Sequence, residues 1–228
     1  MRVLDLFSGT GSSTQAFHDA GHHVTRVELD ARHDADLHAD VGALAAADLG
    51  GAGAFDFIWA SPPCTTFSVA SIGRHWRIID RQYVPQTDAA RAGLTLAAHT
   101  VALIRDLAPR VFLIENPRGM LRNLPPVQGL DRYTVWYCRY GDDRAKPTDL
   151  WGVPPHAWRP RPECRNGGWG RVTTDDGTVW CIDERGRPCH HAASRGSRTG
   201  TQGIDRVRDR SRVPYALGAD LLAALTTP

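Results

Sequence analysis

Lysine is nearly missing from this chain of 228 residues: Lys146 is the only one, and arginine carries the rest of the positive charge. Long apolar runs are missing too, which excludes a membrane-spanning helix of the usual ~20 residues. The strand pattern Val3-Leu4-Asp5-Leu6-Phe7 begins at once and leaves no room for a signal peptide, so a cytoplasmic protein is expected. No internal repeat is present, which argues against a solenoid or propeller. The cysteines number five, an odd count without a C-x-x-C pair. In a cytoplasmic protein that argues against a disulfide framework and leaves catalysis or metal binding as their use.

What is there fits one domain of ordinary size, or one domain with a small insertion. Hydrophobic residues make up 42% and charged residues 23%, enough apolar surface for a real core. The net charge of +2 hides an uneven distribution. Between Arg159 and Arg212 arginines outnumber acidic residues and are interleaved with Gly, Ser and Thr. Arginine suits bidentate contacts with phosphate and guanine, so this crowding points to nucleic acid; codon bias is the rival explanation.

The elements alternate. Residues 2–7 read as a strand that runs into Ser8-Gly9-Thr10-Gly11-Ser12-Ser13 and a helical stretch over 14–20, stopped by Gly21. Strand, glycine turn and helix start form a nucleotide-type cradle, because glycines admit a ligand to the backbone and helix N–H groups face it. Residues 23–29 make a second strand ending in Glu28-Leu29-Asp30, where a carboxylate can hold a ribose diol. Asp40-Val41 follows, placed to reach an adenine edge. Each acid alone could be a solvated loop carboxylate; in this order they describe a nucleoside site. Residues 89–107 are the longest helical pattern, with Leu94, Ala97, Ala98, Val101, Ile104 and Leu107 on one face and Pro109 closing it. Residues 111–114 form another buried strand, 133–139 a further one, and 213–225 a last helix. The alternation predicts an α/β fold with a doubly wound parallel sheet.

Ser61-Pro62-Pro63-Cys64 follows a buried strand over 55–59. Proline locks φ and removes a donor, so the pair makes a stiff exit from the sheet. Cys64 then stands on a loop at the carboxyl end of a strand, where open α/β sheets place their ligands. By itself it is either a nucleophile or a small hydrophobe at a strand end. Glu115-Asn116 brings a second reactive side chain to the end of a neighbouring strand.

In this order the motifs resemble the C5-cytosine DNA methyltransferase family. Asp5-Leu6-Phe7-Ser8-Gly9-Thr10-Gly11 is similar to its S-adenosylmethionine motif, and Ser61-Pro62-Pro63-Cys64 with Phe67-Ser68 to its nucleophile loop. Glu115-Asn116 is similar to its Glu-Asn-Val motif, with Pro117 in place of valine. The resemblance covers residues 1–151 and the last helix. The compact chain and its Lys146-Pro147-Thr148-Asp149-Leu150-Trp151 run look like phage-encoded members. It implies a Rossmann-like S-adenosylmethionine-dependent methyltransferase sheet, with Cys64 adding to C6 of a flipped cytosine and Glu115 steadying N3 and the exocyclic amine. Glu28 and Asp40 match the family's ribose and adenine ligands. The cofactor set is completed by Phe7, Gly9, Thr10, Gly11 and Ser12 in the first turn, by Leu29 and Val41 beside the acids, and by Pro62.

There are departures. The family's Gln-x-Arg-x-Arg run aligns with Arg144, Lys146 and Thr148, so the cation supporting the ring carbonyl is expected from Arg144 or Lys146. Its Gly-Asn near the C-terminus reads Gly218-Ala219, which implies altered contacts at the methionine end of the cofactor.

In the family the variable segment before the last helix reads DNA. That implies a catalytic and cofactor-binding domain at 1–151, a small irregular target-recognition insertion at 152–210, and a helix at 211–228 returning to the first part. Arg195, Ser197, Arg198 and Thr199 are the expected phosphate grip. Cys164, Cys181, Cys189 and His190 have the donors for a tetrahedral structural zinc in a segment with little apolar content. The other reading is cysteines and surface histidines with no metal. Double-stranded DNA is the expected partner of a monomer, with restriction-modification one setting for it. An RNA cytosine-C5 methyltransferase and a non-catalytic nucleic-acid-binding relative remain the alternatives.

Overall fold

The computed structural model describes residues 1–69, 71–142, 146–164, 171–173, 175, 179–182, 188–192 and 211–227. The short apolar runs become strands. In chain order they are β1 (Arg2–Leu6), β2 (His23–Glu28), β3 (Leu37–His38), β4 (Phe57–Ala60), β5 (Trp76–Ile79), β6 (Gln82–Pro85), β7 (Val111–Pro117), β8 (Arg132–Trp136) and β9 (Pro147–Val153). Seven form one sheet in the order β3-β2-β1-β4-β7-β9-β8, and β5 pairs with β6 as a separate hairpin. Neighbours from β3 to β7 run parallel, whereas β9 is antiparallel to both β7 and β8.

The sheet is therefore mostly parallel, with one reversed strand where the alternation predicts a wholly parallel one. β9 escapes a reading by apolar runs because buried Thr148 and Asp149 interrupt it. Asp149 is accommodated by Arg122, whose guanidinium reaches both carboxylate oxygens at 2.7–3.0 Å, and by the Thr134 hydroxyl at 2.8 Å. β8 ends at Trp136, short of its expected end, because a 3₁₀ turn over Tyr137–Tyr140 and a left-handed Gly141 carry the chain away from the sheet.

The helices whose bounds lie among the described residues are α1 (Gln15–Asp19), α2 (Ile72–His75), α3 (Asp88–Leu107) and α4 (Tyr215–Thr226). Successive strand residues point to opposite faces, so each face of the sheet acquires its own core. Leu4, Leu6, Ile58 and Ala60 pack with Ala97, Ile104 and Leu107 of α3, while Val3, Phe57 and Trp59 join Phe17, Leu217 and Leu221. α3 begins at Thr87, whose hydroxyl accepts from the Ala90 N–H at 3.2 Å, and ends at a left-handed Ala108 before Pro109. Its inner face includes Leu103 and Thr100 and leaves Ala98 exposed, contrary to the periodicity. Thr100 is tolerated there because its hydroxyl bonds the Leu96 carbonyl at 2.8 Å.

The end of the chain returns to its beginning. The Val213 N–H donates to Ser12 Oγ at 3.0 Å, and a Cβ on Gly218 would stand 3.1 Å from the Ser13 carbonyl oxygen. Between β9 and α4 in the chain, β10 (Arg171–Thr173), β11 (Val179–Ile182) and β12 (Pro188–Ala192) make a small antiparallel sheet. Among the described residues no helix is long and apolar enough to cross a membrane.

One acid lies inside this frame. Asp5 is fully buried, and its Oδ2 accepts the hydroxyls of Ser13 and Thr14 at 2.7 Å each, tying β1 to the glycine turn. Its Oδ1 has no partner among the described residues. Burial pushes the carboxyl from 3.8 up to about 6, against the pull of the two hydroxyls. A raised folded-state value means the folded chain binds the proton more tightly than the unfolded one. The stability that this confers is complete below the unfolded value and is lost as pH rises through about 6. Asp5→Asn keeps an oxygen for both hydroxyls and removes the charge. Between pH ~4.5 and ~7.5 its stability relative to the parent is expected to gain about 2 kcal/mol in urea unfolding. A difference independent of pH would show that Asp5 is ionised throughout.

Candidate active site

At the carboxyl edge of β1, β2 and β4 a cavity of about 320 Å³ opens among Phe7, Glu28, Leu29, Asp40, Val41 and Leu96. Ser61 and Pro63, from the segment that carries Cys64, complete its wall. The chain leaves β1 through Phe7 at φ 61 and Gly9 at φ 51. A left-handed phenylalanine stores roughly 1–3 kcal/mol of strain, of a kind that gathers at ligand sites. A Cβ on Gly9 would meet nothing within 4 Å, so the backbone there stays open to a ligand.

Two backbone donors fix Glu28 at the rim: the Gly9 N–H reaches Oε2 at 2.8 Å and the Asp30 N–H reaches Oε1 at 3.0 Å. Asp40 starts the turn over Val41–Ala43 and accepts from the Gly42 N–H at 2.9 Å. Leu29 is 67% exposed and supplies an apolar wall. Two anchored carboxylates, an exposed apolar side chain and an open backbone suit the nucleoside half of S-adenosylmethionine. Of the expected cofactor residues, Phe7, Glu28, Leu29, Asp40 and Val41 line the cavity. Others serve the turn behind it. Gly11 abuts Arg26, whose guanidinium would lie 2.8 Å from a Cβ, Ser12 holds Val213, and Pro62 is buried. Gly9 and Thr10 sit in the same turn, outside the cavity lining.

The reactive edge is built by β4 and β7, which pair with Ala60 opposite Ile114, so the Cys64 loop leaves one strand where Glu115 continues the other. The Asn116 side-chain amide donates to the Pro62 carbonyl at 2.8 Å. Farther along, the Met120 N–H donates to the Phe67 carbonyl at 2.7 Å, and Ser68 bridges Gly119. The Cys64 carbonyl accepts from the Phe67 and Ser68 N–H groups at 3.0 Å each, which closes the loop into a turn. A Cβ on Gly119 would stand 2.2 Å from the Phe67 oxygen, so only glycine permits this approach.

Glu115 is buried. The Tyr137 hydroxyl donates to its Oε1 at 3.0 Å, and Lys146 Nζ lies 3.9 Å from the same oxygen. The Lys146 ammonium also sits 4.6 Å from the centre of the Tyr137 ring. Burial, and after it the Glu115 charge, hold the Tyr137 phenol well above its ordinary range, so it remains a donor. Of the two cations expected here, Lys146 stands at Glu115, and Arg144 lies outside the described residues. Thr148, aligned with the family's last arginine, is buried in β9.

The expected phosphate grip of Arg195, Ser197, Arg198 and Thr199 lies outside the described residues. Cys181 lies in β11 and Cys189 and His190 in β12, with side chains outside the described set. Cys164 is buried in a cluster with Cys138 and Trp136. Among the described residues no three metal-binding side chains come together. Sequence reasoning missed Tyr137, Gly119 and Cys138. Tyr137 carried no signal, since it read as one more residue of a strand; Gly119, just beyond the Glu-Asn-Pro run, carried a faint one.

Residues 1–124 match the family of C-5 cytosine-specific DNA methylases. A probable DNA (cytosine-5)-methyltransferase of Frog virus 3 (isolate Goorha) is 32% identical over 232 residues, covering 97% of this chain and 99% of that protein. Among solved structures, the Entamoeba histolytica methyltransferase EhMeth is similar at 10% identity and a TM-score of 0.49, over 78% of this chain and 62% of that one. A Spodoptera frugiperda DNMT2 mutant is similar at 17% identity and a TM-score of 0.42, over 71% of this chain and 53% of that one. This chain thus spans less than two thirds of either solved relative. The family match extends over more than half of the sequence and the viral relative aligns along nearly all of both chains, so the chain belongs to the C-5 cytosine-specific DNA methylases.

Proposed function

We propose that the chain transfers a methyl group from S-adenosylmethionine to C5 of a cytosine flipped out of double-stranded DNA, through a covalent adduct at Cys64. The observation that carries this reading is the bonding of the Cys64 loop to the exit of β7, next to a cavity with two anchored carboxylates. Cytosine C5 is a weak nucleophile. Addition of the Cys64 thiolate to C6 breaks the C5–C6 double bond and leaves an electron pair at C5. Glu115 protonates N3 and holds the exocyclic amine as negative charge builds on the ring. S-adenosylmethionine, when bound, supplies an electrophilic methyl group; Glu28 would take its ribose diol and Asp40 its adenine edge. Loss of the C5 proton to water then drives out Cys64, restoring the double bond and the thiolate, and N3 returns its proton to Glu115.

A base inside a duplex cannot reach this edge, so it must be extruded. In this reading the insertion at 152–210 recognises DNA, with Arg195, Ser197, Arg198 and Thr199 on the phosphates, and residues 1–151 and 211–228 carry out catalysis. The protein acts as a monomer in the cytoplasm of a bacterial or phage-infected cell. Purified protein with labelled S-adenosylmethionine is expected to label duplex DNA and not RNA, and Cys64→Ser to lower the rate by at least about a thousandfold. Labelling of RNA instead would redirect the substrate. Activity that survives in Cys64→Ser would exclude the covalent route.

A structural zinc belongs to the same proposal. Cys138 and Cys164 are buried together at the border of the insertion, so Cys138 joins Cys164, Cys181, Cys189 and His190 as a candidate ligand. The support is this pair of buried thiols beside a segment too poor in apolar residues to build a core of its own. Metal analysis is expected to find about one zinc per chain, and much less in Cys164→Ser. Natively purified protein without zinc would remove the site.

A further inference from the structure

We infer that Tyr137 is a positioning residue for Glu115: its hydroxyl occupies Oε1 and confines to Oε2 the proton that Glu115 gives to cytosine N3. The inference rests on the function proposed above and concerns how one carboxyl group is made asymmetric.

A carboxylic acid has two oxygens, and in water the proton exchanges freely between them. In the reaction Glu115 must present a proton to N3 and an acceptor to the exocyclic amine. A group that could present these in either order would spend part of its time in the wrong one. Two features meet at Oε1. The Tyr137 O–H donates to it at 3.0 Å, and the Lys146 ammonium lies 3.9 Å away. A donor and a positive charge on the same oxygen both oppose a proton there, while a lone pair remains for an amine. Oε2 does not take the Tyr137 hydroxyl and is where the proton is held.

Tyr137 is suited to this role by its surroundings. It is completely buried, and its phenol is held well above its ordinary range, so it stays protonated wherever duplex DNA is intact. Its backbone N–H donates to the Lys146 carbonyl at 3.1 Å, and its ring lies under the Lys146 ammonium. The two groups that act on Oε1 are thus tied to each other by a main-chain bond and by a cation–π contact.

A core tyrosine that has merely found the nearest acceptor would look similar, so the test must separate the two roles. Tyr137→Phe keeps the ring beneath Lys146 and deletes only the hydroxyl. The expected result is a kcat for duplex DNA lowered roughly 10- to 100-fold, the effect of losing one hydrogen bond to a charged group in the reacting state. KM for DNA and for S-adenosylmethionine should stay within about twofold, because neither is bound by this hydroxyl. Capture of the chain on duplex carrying 5-fluorocytosine, where fluorine blocks loss of the C5 proton and stalls the adduct, should slow by the same factor as kcat. In a Glu115→Gln background the tyrosine substitution should have little further effect, since the two act as a unit. A parental kcat in Tyr137→Phe overturns the inference, as does a loss explained wholly by weaker binding or by a full further drop in the Glu115→Gln background. Parent protein that transfers no methyl group to DNA removes the proposed function and this role with it.

Discussion

The carbonyl oxygen of Phe67 is the point on which the reactive edge closes. Two loops leave adjacent parallel strands, one carrying Cys64 and the other following Glu115, and nothing in a parallel sheet obliges them to stay together. The Met120 N–H donates to this oxygen at 2.7 Å, and Gly119 allows the approach by having no side chain to oppose it. Asn116 performs the same task nearer the sheet by donating to the Pro62 carbonyl. Both links run from the backbone of the Cys64 loop to residues just beyond Glu115. The loop that carries the thiol and the segment that follows the carboxyl are therefore fixed to each other within the fold.

Three buried acids show how the sheet separates structural from reactive groups. Asp149 has all its donors: Arg122 spans both oxygens and Thr134 adds a third partner. A carboxylate so enclosed holds β8 and β9 together and has nothing left to offer. Asp5 has two hydroxyls on one oxygen and none on the other, and burial pushes its pKa up to about 6. Glu115 has the Tyr137 phenol on Oε1 and the Lys146 ammonium 3.9 Å from the same oxygen, a looser setting than that of Asp149, which stands opposite Asn116 on the neighbouring strand.

The neighbouring strand ends that make up the candidate catalytic edge were legible in the sequence because they are made of local signals. A glycine turn after a strand, two prolines before a cysteine and an acid closing an apolar run each declare their place within a few residues. The same local logic failed at β9, where buried Thr148 and Asp149 concealed a strand that only its partners Arg122 and Thr134 make tolerable. It failed again at Tyr137, whose partner Glu115 is distant in the chain and reached only after β8 ends and the chain turns. On α3 the periodicity identified the helix and most of its inner face; it admitted Ala98, which is exposed, and missed Thr100, which can be buried by bonding its own helix. Gly119 shows the same limit: a glycine that is required by another loop's carbonyl leaves only a faint mark in its own neighbourhood.

Arg161 connects these local devices to the insertion. Its guanidinium bonds both oxygens of Asp220 on α4 at 2.8 and 2.9 Å and the Arg139 carbonyl at 2.8 Å. Its backbone N–H donates to the Tyr140 hydroxyl at 2.9 Å, and its guanidinium lies 4.7 Å from the Tyr140 ring centre. The start of the insertion is thereby fastened to the same short turn that carries Tyr137, and to the helix that returns to the glycine loop. A side chain with one fewer planar face could not make the fork to Asp220 and the ring contact together, which is why arginine is needed here and lysine suffices at 146. The segment proposed to recognise DNA and the hydroxyl that orients Glu115 consequently share one support. A shift of that support would reach the carboxyl group through a single turn of chain.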